Sequence, residues 1–166
     1  MRIVLIGFMG TGKSSVAPLL AAKLGLKTVE MDDLIVPKAG GKSIEQIFAN
    51  SGEAGFRRLE LAVAKDLANE EQAVISTGGG VVTNQATLDY LAQNSTIIGL
   101  FASFETILAR IGQNLPRPLF QDKVQAKTLY DQRRPLYNQY SGIRVTTDDK
   151  SLDEVVAEIV TKVQNP

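Results

Sequence analysis

The chain reads as an α/β protein, a parallel sheet covered by helices, and three observations predict it. Short β-branched apolar runs alternate with longer helix-like segments along the whole length. Gly7-Phe8-Met9-Gly10-Thr11-Gly12-Lys13-Ser14 fits the phosphate-loop pattern G-x-x-x-x-G-K-[ST] and lies between a strand-like and a helix-like run. The 166 residues, 44% apolar and 22% charged, suit one domain with a single substantial core.

The first strand is expected over residues 3–6, where Ile3-Val4-Leu5-Ile6 has the continuous apolar character of a strand buried on both faces. Residues 13–24 follow as a helix closed by Gly25, with Pro18 a misfit that predicts a kink or a lost hydrogen bond. Further strands are expected over 28–31, 73–76, 96–101 and 143–146. Further helices are expected over 44–49, 55–68, 85–93, 104–111, 124–140 and 152–163. Ser103 and Ser151 are placed to cap the helices that follow them. Residues 112–123, with two prolines and little periodicity, read as a loop long enough to be functional.

Composition narrows the chemistry. Eighteen basic and eighteen acidic residues balance to zero, so no overall field draws the chain to nucleic acid or to an anionic membrane. Cysteine is absent, which removes disulfides, thiolate catalysis and thiolate-bound zinc. Histidine is absent as well, so a general base must be a carboxylate, a lysine or a tyrosine. No run approaches the roughly 20 apolar residues of a membrane span, and no secretory pattern opens the chain. A cytoplasmic location is the expectation.

In the phosphate loop, glycines let consecutive backbone N–H groups point at phosphate oxygens, and the positive end of the next helix adds to their pull. Gly10, Thr11, Gly12, Lys13, Ser14 and Ser15 are the expected cradle, with Lys13 reaching the β- and γ-phosphates and the Ser14 hydroxyl ligating Mg²⁺.

Four further segments are more specific: Gly52-Glu53-Ala54-Gly55-Phe56-Arg57-Arg58-Leu59-Glu60, Thr77-Gly78-Gly79-Gly80-Val81-Val82, Pro116-Arg117-Pro118-Leu119 and Arg133-Arg134-Pro135-Leu136-Tyr137. With the phosphate loop, and in this order, they resemble shikimate kinases over essentially the whole chain. The resemblance implies a P-loop NTPase fold, a five-stranded parallel sheet flanked by helices with a mobile lid. It implies one domain over 1–166, with a lid at about 112–123 and a shikimate-binding segment at about 32–60. It also implies a monomer that phosphorylates the 3-hydroxyl of shikimate with ATP and Mg²⁺, in the pathway to chorismate and the aromatic amino acids.

By the same resemblance, Arg57 and Arg133 bind the substrate carboxylate, whose planar geometry suits forked guanidinium donors. Gly79 contacts shikimate through its backbone, where a side chain would fill substrate space. Arg117 is the lid arginine that closes over ATP, and Arg110 stacks on the adenine. Glu60, one turn beyond Arg57, is placed to hold that arginine through an i,i+3 pair. Taken singly, each of these arginines also suits an ordinary ion-pair or surface role.

The chain departs from the family where the second strand usually ends in Asp-x-Asp. Here the segment is Val29-Glu30-Met31-Asp32-Asp33. Asp32 keeps the second position and is the best base for the reacting hydroxyl. For the first position three readings stay open: Glu30 contacts the water shell of Mg²⁺, Asp33 replaces it, or Ser14 and the phosphates hold the ion almost alone. Asp33 otherwise reads as the start of a helix. Two rival functions share the phosphate loop: another small-molecule kinase resembling gluconate kinases, and a kinase-like binding protein with weakened catalysis.

Overall fold

The computed structural model describes residues 1–112 and 122–165. Elements run β1 (Arg2–Ile6), α1 (Lys13–Leu24), β2 (Lys27–Glu30), α2 (Met31–Lys38), α3 (Ile44–Leu67), β3 (Ala73–Ser76), a 3₁₀ turn (Val81–Thr83), α4 (Gln85–Ala92), β4 (Thr96–Phe101), α5 (Phe104–Ile111), α6 (Lys123–Tyr140), β5 (Ile143–Thr146) and α7 (Leu152–Gln164). The five strands form one sheet in the order β2-β3-β1-β4-β5, every pair parallel. This is the predicted α/β fold. The lid expected at 112–123 and its Arg117 fall almost wholly outside the described residues.

β1 explains why the sheet is a continuous apolar layer. Val4 and Ile6 pack into the core beneath α3, α4, α5 and α6, while Ile3 and Leu5 pack against α1 and α7. All four side chains are fully buried. Side chains alternate along a strand, so helices on both faces demand apolar residues at every position. Full burial of one such side chain contributes about 1.5–3 kcal/mol.

Two expectations need correction, and one is met, since the hydrogen bond expected to be lost at Pro18 is lost. The second strand ends at Glu30 and the chain turns directly into α2, an element the periodicity did not reveal. Met31 and Ile35, one turn apart, are both buried and anchor it. The helices expected at 44–49 and 55–68 are joined in α3, which breaks at one residue, Gly52, with φ 64° and ψ −173°. That φ lies where glycine alone is unstrained, so the chain re-enters a helix at once. Pro18 sits inside α1, which runs unbroken through it; the carbonyl deprived of a helical partner is that of Ser14, an exposed residue. Ser103 and Ser151 cap α5 and α7 as expected, through bonds from the Thr106 and Glu154 amides. No helix among the described residues is long and apolar enough to cross a membrane.

Candidate active site

A cleft of about 560 Å³ opens at the carboxyl ends of the strands, where parallel α/β sheets collect their ligand sites. Its floor is the phosphate loop after β1. Met9, Gly10, Gly12, Lys13, Ser14 and Ser15 all line it. Gly12, the N-cap of α1, adopts φ 100°, which turns the chain into the helix and is strained for residues with a side chain. Lys13 is 8% exposed and folds back, its Nζ 2.7 Å from the Gly7 carbonyl and 3.1 Å from that of Phe8. Thr11 differs from its neighbours. Its side chain is buried and donates to the Phe8 carbonyl at 2.8 Å, so it braces the loop from beneath and does not line the cleft.

The carboxylates at the end of β2 are sorted by the start of α2. Glu30 and Asp32 line the cleft. Asp33 is exposed in the first turn of α2 and lies off the cleft lining, favourably placed for the helix dipole. Glu30 accepts a hydrogen bond from the Ser76 hydroxyl at 2.9 Å and another from Ser14. Burial pushes its carboxyl above the ordinary range; the Ser76 and Ser14 bonds oppose that, Asp32 adds to it, and Lys13 opposes it. Of the two acids left open by the sequence, Glu30 is the one beside the Ser14 hydroxyl.

Behind the cleft wall lies a charged cluster drawn from α3, the triple glycine and α6. Arg57 Nη1 reaches both Glu60 oxygens at 2.9 Å, and its Nη2 lies 3.3 Å from Glu53. Glu60 is fully buried. Burial raises its carboxyl value, Arg57 opposes the rise, Asp32 reinforces it and Arg133 opposes it. Tyr137, one turn after Arg133 on α6, donates to the Gly79 carbonyl at 2.5 Å and is hydrogen-bonded to the Arg133 side chain. Burial pushes its phenol well above the ordinary range against the pull of Arg133 and Arg57, so it stays a protonated donor. Two donors in this cluster, Arg57 Nε and Arg133 Nε, are buried without a hydrogen-bond partner among the described residues.

The structure thus brings Arg57 and Arg133 to one place, but neither lines the cleft itself; Asp32, Gly78 and Gly79 stand in front. A Cβ on Gly78 would lie 3.4 Å from Asp32 Oδ1 and 3.7 Å from Glu60 Oε1. The close approach at Gly79 is not only toward substrate space. A Cβ there would sit 3.3 Å from the Met9 amide nitrogen, so the glycine lets this loop lie against the phosphate loop. Gly80 is more constrained, because a Cβ on it would overlap the Arg57 guanidinium. Three glycines therefore do three jobs.

Arg110 is at the opposite lip. Its Nη1 bonds the Gly10 carbonyl at 3.1 Å and Thr147 Oγ1 at 3.0 Å, and its Nη2 bonds the Thr147 carbonyl at 2.8 Å. These edge contacts fix the guanidinium plane at the cleft wall. Sequence reasoning missed Thr147, Gly80 and Tyr137. The i,i+4 spacing of Arg133 and Tyr137 was the available signal for the last; nothing local marks Thr147.

The description of the family model that matches residues 9–164 is shikimate kinase. A shikimate kinase of a Sulfurihydrogenibium species is 38% identical over 98% of both chains. The solved shikimate kinase of Acinetobacter baumannii in complex with shikimate superposes with a TM-score of 0.89 at 30% identity, over 98% of this chain and 92% of that one. A gluconokinase from Sinorhizobium meliloti, covering 98% of this chain and 91% of its own, shares the fold alone, at TM-score 0.66 and 21% identity. This chain belongs to the shikimate kinase family.

Proposed function

We propose that this chain transfers the γ-phosphoryl group of ATP to the 3-hydroxyl of shikimate, as a single-domain monomer in the cytoplasm. The observation that carries the reading is the pair of buried, unmet Nε–H groups on Arg57 and Arg133, from helices far apart in sequence. Buried donors left unpaired are costly, and a planar carboxylate is a partner that suits two guanidinium edges.

We assign the roles as follows, that of Arg117 on the family resemblance alone. Gly10, Gly12, Ser15 and the Thr11 backbone form the phosphate cradle, and Lys13 leaves its carbonyl contacts for the β- and γ-phosphates. Arg57, Arg133 and Gly79 hold the acid so that its alcohol faces the terminal phosphorus. Asp32, at the junction of cleft and acid cluster, orients the hydroxyl and takes its proton. Arg110 offers its face to the adenine, and Arg117 closes over the nucleotide. Phosphoryl transfer needs positioning and charge neutralisation more than a reactive nucleophile, which suits a site without histidine or cysteine.

The donors present fit Mg²⁺. Ser14 offers a hydroxyl, and the Glu30 carboxylate beside it suits a hard cation that keeps most of its waters. Bound there, the ion would offset charge on the β- and γ-phosphates. The extra methylene of Glu30, against the family's usual Asp, is accommodated by its bond to Ser76.

A coupled assay of ADP release with shikimate, with gluconate and without acceptor tests the reading. Release that depends on shikimate is expected. Equal release with gluconate, or none above the acceptor-free rate, overturns it.

A further inference from the structure

We propose that Thr147 is a positioning residue for nucleotide binding, acting by holding the Thr11 carbonyl of the phosphate loop away from the cleft. Thr147 follows β5 and is 3% exposed. Its amide donates to the Phe101 carbonyl at 2.7 Å, which fixes its backbone at the end of the sheet. Its hydroxyl lies 3.2 Å from the Thr11 carbonyl and 3.2 Å from that of Phe101. The Phe101 oxygen already accepts from the amide, so assigning the hydroxyl proton to Thr11 gives both carbonyls a donor. The hydroxyl oxygen in turn accepts from Arg110 Nη1 at 3.0 Å, and the same nitrogen reaches the Gly10 carbonyl at 3.1 Å.

The Thr11 carbonyl is therefore pinned toward buried Thr147, which does not line the cleft, while the Gly10 carbonyl before it is held by Arg110 at the cleft lip. In a trans peptide the C=O and the next N–H point in opposite directions. Fixing the Thr11 carbonyl outward aims the Gly12 N–H the other way, and Gly12 lines the cleft. A carbonyl rotated inward would present partial negative charge to an anion and remove a donor from the cradle. Arg110 cannot do this alone, since its guanidinium takes its plane from the Thr147 hydroxyl and carbonyl. One hydroxyl just after the last strand thus sets the polarity of the loop after the first.

The test uses the intact protein and needs no acceptor, so it is independent of the reading that shikimate is the substrate. ADP affinity is measured by titration calorimetry for the unaltered chain, Thr147→Val, Thr147→Ala and Thr147→Ser. Val keeps the shape and loses the hydroxyl; Ala cannot overfill the site. Loss of one buried hydrogen bond and exposure of the loop carbonyl predict about tenfold weaker ADP binding for Val and for Ala. Ser, which keeps the hydroxyl, is expected within about twofold of the unaltered chain. In steady state the Val variant should raise KM for ATP by a similar factor and leave KM for shikimate nearly unmoved. Unchanged ADP affinity in Val and Ala overturns the inference. So does a Ser variant as weak as Val, or a parallel rise in both KM values, which would mark a general packing role.

Discussion

The two ends of the sheet each hold arginine, buried at one and half-buried at the other, and they treat it differently. At the amino end, Arg2 is 3% exposed and its guanidinium is fully engaged. Nη1 lies 2.7, 2.6 and 3.0 Å from the carbonyls of Leu67, Ala68 and Glu70; Nε meets the Ser95 hydroxyl, and Nη2 meets the Gln93 carbonyl. Leu67 and Ala68 end α3, whose terminal carbonyls carry the negative end of the helix dipole. At the carboxyl end, Arg57 and Arg133 are held by Glu60 and Tyr137, yet each keeps one buried N–H unmet. A charge with an acceptor at each of its three nitrogens holds the fold together. A charge anchored on one edge and unmet on another is what the proposed carboxylate site requires.

Several substitutions can break or sharpen that contrast. The largest effect is expected at Asp32, where the acid cluster meets the cleft. Asp32→Asn should lower kcat by about a hundredfold to ten-thousandfold while ADP affinity holds, as general-base loss predicts. Undiminished turnover would remove Asp32 from the mechanism. Arg133→Ala should raise KM for shikimate about a hundredfold and leave KM for ATP near its starting value; equal weakening of both undoes the carboxylate assignment.

Arg2→Met is the counterpart at the other end. It should cost about 3 kcal/mol of stability in urea unfolding, through lost charged hydrogen bonds, with both KM values unchanged. A selective loss of shikimate binding there would erase the distinction between the two ends. Tyr137→Phe keeps the ring and removes one donor. About a fivefold rise in KM for shikimate is expected, with ATP unaffected, because the phenol ties Arg133 to Gly79.

The smallest effect is a pH dependence. Burial raises the Glu60 value in the folded state, so folding favours its protonated form. That contribution is present at low pH and is lost as pH rises from the ordinary carboxylate range through the raised value. Thermal melts of the ligand-free protein should therefore show the melting temperature relative to Glu60→Gln declining across that window. A difference that grows with pH contradicts the direction assigned to Glu60.

Legibility varied with how far a feature depends on neighbours in the chain. The phosphate loop, α1 and the last three strands could be read because each is local: apolar runs, glycine spacing and a capping serine act within a few residues. The i,i+3 pair of Arg57 and Glu60 was legible for the same reason. α2 escaped because its only sequence signature, Met31 and Ile35 one turn apart, is too short to stand above its charged neighbours. The role of Gly80 escaped because its reason is a guanidinium from α3 lying over it.

By itself the amino-acid sequence determined the α/β alternation, the anion-binding loop, the absence of histidine chemistry and the residue types available for a carboxylate. Those follow from backbone periodicity and side-chain chemistry, which are properties of short segments. Tertiary structure decided that Glu30 rather than Asp33 stands beside Ser14, that Tyr137 bridges Arg133 to Gly79, and that Thr147 reaches back to Thr11. Hydrogen bonds act over about 3 Å, and only the folded chain brings segments this far apart in sequence, such as those after the first and last strands, within that distance.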